Sequence, residues 1–317
     1  MKTRAITEGA LFAAITVITA LLSYYIPFMS VLIFFLPVPC VILYQRHGLA
    51  AAAVSSGAAI LLMLLFMDAV NVITIGLMTA VPGLILGWCY DKKKSGFVRL
   101  GAGYLVYLGV FILIILLFQL ISGISFMDDY INTLNEASSG VMQIYKESGL
   151  LSQDQITNLS SQVDQLMTSF KMMLPACFLI IPFFMSWFTS MLCDYTLRKL
   201  RIACIPLTPM YEWCLPNSFK LFSVILMAGT AIITYGFPQV PEIYTYTVIA
   251  VMSVLFLLMG YSFIFWLTRI KMSGRGKWIR VLCVILSFMM PVLMTVIMFV
   301  GLMDVYMGLR RFFLRKE

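Results

Sequence analysis

Histidine occurs once in the 317 residues, at His47. A single imidazole excludes the usual histidine-rich zinc sets, and no Cys, Asp or Glu stands near it in the sequence to complete a triad or a metal site. It reads as an interfacial residue beside Arg46. Charged residues are also scarce, at 11% of the chain, too few to clothe a soluble globular domain. The seven cysteines form no CxxC pair and read as apolar filler rather than redox or metal centres. No P-loop, dinucleotide-binding glycine pattern or HExxH occurs. The expectation is a protein with no catalytic residues, no metal ligands and no cofactor, and therefore not an enzyme.

What the sequence has in abundance is apolar surface: 62% hydrophobic residues and a mean hydropathy of +0.97. Apolar stretches run at about 9–26, 28–44, 49–67, 69–90, 100–122, 172–193, 219–236, 243–267 and 281–303. Most approach the ~20 residues that a helix needs to cross ~30 Å of hydrocarbon. They lack the alternation of barrel strands. The predicted fold class is all-α, a polytopic transmembrane helical bundle of eight or nine spans. The first stretch is as long as a full span and has no clear cleavage site, so no signal peptide is expected to be removed.

Basic residues alternate between loops: Lys2 and Arg4; Arg46; Lys92, Lys93, Lys94 and Arg99; Arg198, Lys199, Arg201 and Lys220; Arg269, Lys271, Arg275, Lys277 and Arg280. The positive-inside rule places these loops, and the N-terminus, in the cytoplasm. The net charge of +8 is then a topology signal with attraction to anionic membrane lipids, and does not point to nucleic acid. Nine crossings would send Arg310, Arg311, Arg315 and Lys316 outside. The break at Pro291 suggests instead eight crossings and an irregular last element that returns.

Three regions follow: a membrane part at 1–122, an acidic polar insert at 123–171 and a second membrane part at 172–317. The insert carries six carboxylates against Lys146, a net charge of −5 from residue 125 to 170. Its apolar residues, Met127, Ile131, Leu134 and Met142 among them, recur at helical spacing. This predicts an extracytoplasmic helical hairpin, turning at Gly149 and capped again by Ser152 with Gln155. It is either a self-packed cap or a lid that meets a partner. The Asn158-Leu-Ser160 sequon carries little weight as a short motif on its own.

Two constellations are candidate sites. In "RAITEGALFAAI", Ala10 and Ala14 form an AxxxA patch with Gly9 and Ala13 beside it, and Gly48, Ala52 and Ser56 make a second small stripe. Such residues let helix backbones approach closely, within this bundle or against another subunit. Glu8 would sit in the first turn, where a helix N-terminus favours a carboxylate. In "LLFMDAVNVI", Asp68 and Asn71 are either a polar turn in water or the lining of an externally facing substrate pocket. Asp304 stands at a membrane boundary within reach of Arg310 or Arg311. With no buried charge read in the spans, ion coupling is disfavoured and a neutral solute fits better.

These residues carry two resemblances. "RAITEGALFAAI", the "PVP" of Pro37 to Pro39, the insert after five spans and the "GLMD" ending followed by arginines resemble the YybS-like family of uncharacterised bacterial polytopic membrane proteins. The first 122 residues, extending toward 193, are similar to the substrate-binding S components of energy-coupling-factor transporters. In those proteins an AxxxA patch on the first helix docks onto a transmembrane coupling subunit that works with ATPase subunits, and the motif maps onto Ala10 and Ala14. The long insert and the residues beyond about 193 depart from that pattern. The resemblance implies a transport subunit for a small, mainly neutral solute. The alternative is a membrane scaffold or signalling partner acting through its insert and basic loops, including the proline-rich "IPLTPMYEWCLP".

Overall fold

The computed structural model describes residues 3–148, 153–236, 241–271 and 276–314. The expected turn at Gly149 and cap at Ser152 lie outside the described residues, as do Lys2, Arg275, Arg315 and Lys316. The described residues form an all-α membrane bundle without strands. Seven helical segments are long and apolar enough to cross a membrane, or eight if one bent pair counts as a span.

Prolines and glycines set where the helices stop. α1 (Thr3–Tyr25) ends before Pro27, which opens a 3₁₀ run at Pro27–Phe35. Pro37 and Pro39 then start α2 (Val38–His47), as expected for a residue that fixes φ and donates no hydrogen bond. The 28–44 stretch is thus not one α-helix, although the segment Pro27–His47 as a whole is span-length. Gly48 has a φ of +83° and separates α2 from α3 (Leu49–Met63). At 15 residues, α3 rises only about 22 Å, so the third apolar stretch forms a short helix. α4 (Ala69–Asp91) and α5 (Gly96–Ser122) are full length.

The polar insert begins with α6 (Phe126–Ser148). Met127, Ile131, Leu134 and Met142 are half-buried along one side, while Asp128, Asp129 and Glu136 are exposed, which matches the amphipathic reading. The second helix of the expected hairpin is no separate element: α7 (Gln153–Lys199) runs for 47 residues from the insert through the sixth apolar stretch, across Pro175 and Pro182. α8 (Asn217–Gly236) and α9 (Glu242–Lys271) follow. α10 (Gly276–Met289) and α11 (Pro291–Met307) are bent by 120° at Met290–Pro291, so the last apolar stretch is a broken element, as the position of Pro291 implied. α12 (Leu309–Leu314) ends the described chain.

Two compact units result. The first comprises 1–160 with 181–207, and the second 161–180 with 208–317. In the first, Ala13, Val17 and Ala20 of α1 pack with Ala59 and Met63 of α3, Leu36 and Val72. Lipid offers apolar side chains no less than a protein core does, so close fit rather than escape from water holds such helices together. A second cluster joins Val38, Val41 and Ile42 of α2 to Leu86 and Tyr90 of α4 and to Cys193 and Leu197 of α7. In the second unit, α9 packs along α11 with Gly260 against Ile297 and Gly301 against Phe256.

Candidate functional site

Asp68 ends the turn after α3 and caps α4. Its Oδ1 accepts from the backbone N–H of Asn71 at 3.1 Å, the geometry that satisfies an orphan donor of a first helical turn. The Asn71 side-chain amide donates to Oδ2 at 2.6 Å and to the Tyr24 hydroxyl at 3.1 Å. Hydrogen bonds from the Asn71 side chain and backbone hold the Asp68 carboxyl below the usual carboxylate range. The two residues singled out in the sequence are therefore brought together, with Tyr24 as a third member.

Asn71 also lines a cavity of about 250 Å³ beside the N-terminal part of α4, with Thr74, Ile114, Phe118, Ile121 and Phe126 among the other walls. Phe118 and Phe126 meet edge to face, their ring centroids 5.6 Å apart. The Thr74 hydroxyl is used within its own helix, donating to the Val70 carbonyl. An aromatic and aliphatic chamber with one amide at its edge suits a small neutral molecule and has no charge to pair with an ion. Asp68 does not line it.

The small residues of α1 divide into two sets. Gly9 and Ala13 are buried: Ser55 of α3 donates to the Gly9 carbonyl at 2.7 Å, and Ala13 is only 3% exposed inside the α1–α3 core. Ala10 and Ala14 point out of the bundle, between exposed Ile6, Leu11 and Ile18. The pattern "small-xxx-small" at 9/13 is internal packing, and that at 10/14 is a free face. In the second stripe, Ala52 and Ser56 are buried, while Gly48 lies at the junction before α3.

Three features correct the sequence reading. Glu8 lies in the second turn of α1, not the first, and its carboxylate receives Arg4 and Arg46 at 3.1 Å each. His47 stands 3.1 Å from the same carboxylate, so it does have an acidic neighbour, contributed from 39 positions away. The spans do carry buried charge. Arg99 is fully buried and its Nη2 donates to both oxygens of Asp194, at 2.9 and 3.0 Å. The Tyr90 hydroxyl and the Leu207 backbone N–H donate to Asp194 at 2.6 Å each, and Arg99 Nη1 donates to the Ile205 carbonyl at 2.8 Å. The Arg99 guanidinium lies 4.0 Å from the centre of the Tyr90 ring. Every oxygen of Asp194 is occupied by protein donors, which makes this a structural clasp joining α4, α5 and α7 to the 202–207 loop, not an open ion site. Asp304 pairs with Arg310 at 3.0 Å, as its position six residues away suggested. Among the described residues, no group of three or more His, Cys, Asp and Glu is arranged to hold a metal ion.

Comparison with known proteins agrees with this architecture. A model of the family described as "Predicted membrane protein (DUF2232)" matches residues 14–305. The chain is 23% identical over 313 residues, 98% of its own length and 98% of the relative's, to "Uncharacterized protein YybS" of Bacillus subtilis (strain 168). No solved structure matches the chain. A helical membrane bundle matched along nearly its whole length by one family model belongs to that family, the DUF2232 membrane proteins.

Proposed function

We propose that this protein is a membrane transport subunit that captures a small, mainly neutral solute in the Asn71 cavity and docks through α1 to separate coupling subunits. The observation that carries the reading is the cavity: about 250 Å³ with apolar and aromatic walls and one amide, a size and polarity suited to a small, weakly polar guest. The Ala10/Ala14 face supports the docking half. It is exposed, and its two small side chains would let a partner helix approach closely. In this reading the protein sits in the bacterial cytoplasmic membrane with its N-terminus in the cytoplasm. It is surrounded by membrane lipids, engages energy-coupling-factor-type membrane and ATPase subunits, touches no nucleic acid and performs no chemistry. The solute site falls to 1–122 with its rim reaching into the 123–171 insert at Phe126, while 172–317 supplies the basic cytoplasmic loops.

One observation favours a second reading. The exposed acidic side of α6, with Asp128, Asp129 and Glu136, is the kind of surface a scaffold or signalling partner would present to a basic protein.

Affinity purification in mild detergent separates the two. Ala10→Leu with Ala14→Leu changes only exposed positions, so the bundle is expected to fold. Coupling subunits that co-purify with the wild type and are lost from this double variant establish the docking face. A wild type that brings down no coupling subunit, in cells that make them, overturns the transport reading in favour of the scaffold.

A further inference from the structure

The second unit contains a cavity of about 310 Å³ between the start of α8 and the α11–α12 corner. Its walls include Asn217, Lys220, Asp304, Arg310 and Arg311. The corner itself is made by Gly308, at a φ of +67°, a left-handed conformation that glycine adopts without a Cβ penalty. The turn sends Arg310 inward and leaves Arg311 beside the cavity. Arg310 is fully engaged: its Nε donates to Asp304 at 3.0 Å, Nη2 to the Ser262 hydroxyl at 2.7 Å and Nη1 to the Tyr211 carbonyl at 3.1 Å. The single carboxylate of the cavity is thereby consumed. Lys220, half-buried, and Arg311, exposed, also line the cavity, and neither is in an ion pair among the described residues.

We propose that this cavity binds a phosphate group carried by an ester. Two cations that face one chamber without a counter-charge repel each other, and a dianionic or monoanionic guest between them removes that cost. Phosphate offers several acceptor oxygens, enough for the Lys220 ammonium, the Arg311 guanidinium and the Asn217 amide together. The volume exceeds what a bare phosphate fills. Leu215, Met259 and Val305 complete the wall and would contact the esterified portion. An anionic phospholipid headgroup and a soluble phosphomonoester share this chemistry, and basic pockets between membrane helices do take phosphate headgroups.

The test uses the full chain, purified in neutral detergent, with thermal unfolding read by tryptophan fluorescence. Short-chain phosphatidylglycerol is added against phosphatidylcholine, and glycerol 3-phosphate against chloride at equal ionic strength. The expected result is an upward shift of the midpoint with at least one of the two phosphate esters and with neither control. A response to phosphatidylglycerol alone assigns the site to lipid, and one to glycerol 3-phosphate alone to a soluble ester. Lys220→Gln and Arg311→Gln should each weaken apparent affinity about fivefold, with Lys220→Arg retaining it. Arg311 is exposed, so its variant keeps the test valid where the Lys220 variant fails to fold. No selective shift with either ester, or an equal shift in Arg311→Gln, overturns the proposal.

Discussion

Asp194 shows what one carboxylate can do when every lone pair is claimed. It accepts from Arg99, Tyr90 and the Leu207 amide, and in doing so fixes the loop at 202–207 against the helix ends. Removing one partner leaves a buried charge alone, which typically costs about 3–5 kcal/mol, whereas replacing both with apolar groups of similar volume costs far less. Asp194→Leu and Arg99→Met are each expected to unfold at clearly lower temperature in detergent, and the double variant to recover much of the loss. A double variant no better than the worse single would show that the hydrogen bonds to Tyr90, Ile205 and Leu207, not the charge pair, do the holding. The pair was not legible in the sequence because its members are 95 positions apart and each sits beside a basic run that reads as a loop. Asp304 and Arg310, six apart, were legible because the connection between them is too short to separate them. His47 and Glu8 failed for the same reason as Arg99 and Asp194: the partner comes from another helix.

At the scale of elements, the helices that carry strong periodicity or full span length were readable, and those governed by proline were readable only in part. Pro291 announced the broken last element because the residue before a proline avoids helical φ and ψ, and Met290 is extended, with a φ of −124° and a ψ of 99°. Pro175 and Pro182 gave the same signal inside α7 and did not end it, since neighbouring groups can satisfy what a proline leaves open in a membrane helix. The close contact of α9 with α11 rests on two glycines. A Cβ on Gly301 would sit 1.9 Å from the Phe256 carbonyl oxygen, and one on Gly260 2.0 Å from that of Ile297. Neither neighbour is a flexible side-chain tip, so the helices must separate. Gly301→Ala is expected to destabilise the second unit by about 1–3 kcal/mol, read as a lower thermal midpoint. Gly109→Ala, where open space surrounds the added carbon, should leave the midpoint unchanged or raise it.

For the whole molecule, composition alone established the membrane class, and the alternation of lysine and arginine proposed an orientation. The 120° bend between α10 and α11 bears on it. With α3 (Leu49–Met63) crossing as well as the seven longer segments, eight crossings precede the bent pair, and a pair that dips and returns leaves both ends of the chain on the basic side, in agreement with Arg310 and Arg311. Compartment reporters fused at the two ends are therefore expected to give the same cytoplasmic signal. Opposite signals would mean either that α3 does not cross or that the pair crosses as a full span, and in both cases that the positive-inside rule fails at the tail. The cavity beside Asn71 was half legible. Asn71 was marked by its polarity within an apolar run, but Phe118 and Phe126 look like any other lipid-facing or insert residues until α4, α5 and α6 are brought together.

The clasp has a consequence in time. Arg99 emerges from the ribosome 95 residues before Asp194, and at about 5–20 residues per second that is an interval of roughly 5–20 s. Throughout it, α5 must reside in the bilayer with a guanidinium that has no carboxylate to meet. Its place near the N-terminal end of α5 lets the side chain reach toward the interface until α7 arrives. The first unit therefore closes late during biogenesis, and a chain stalled before Asp194 would present an unpaired arginine that membrane quality control can recognise.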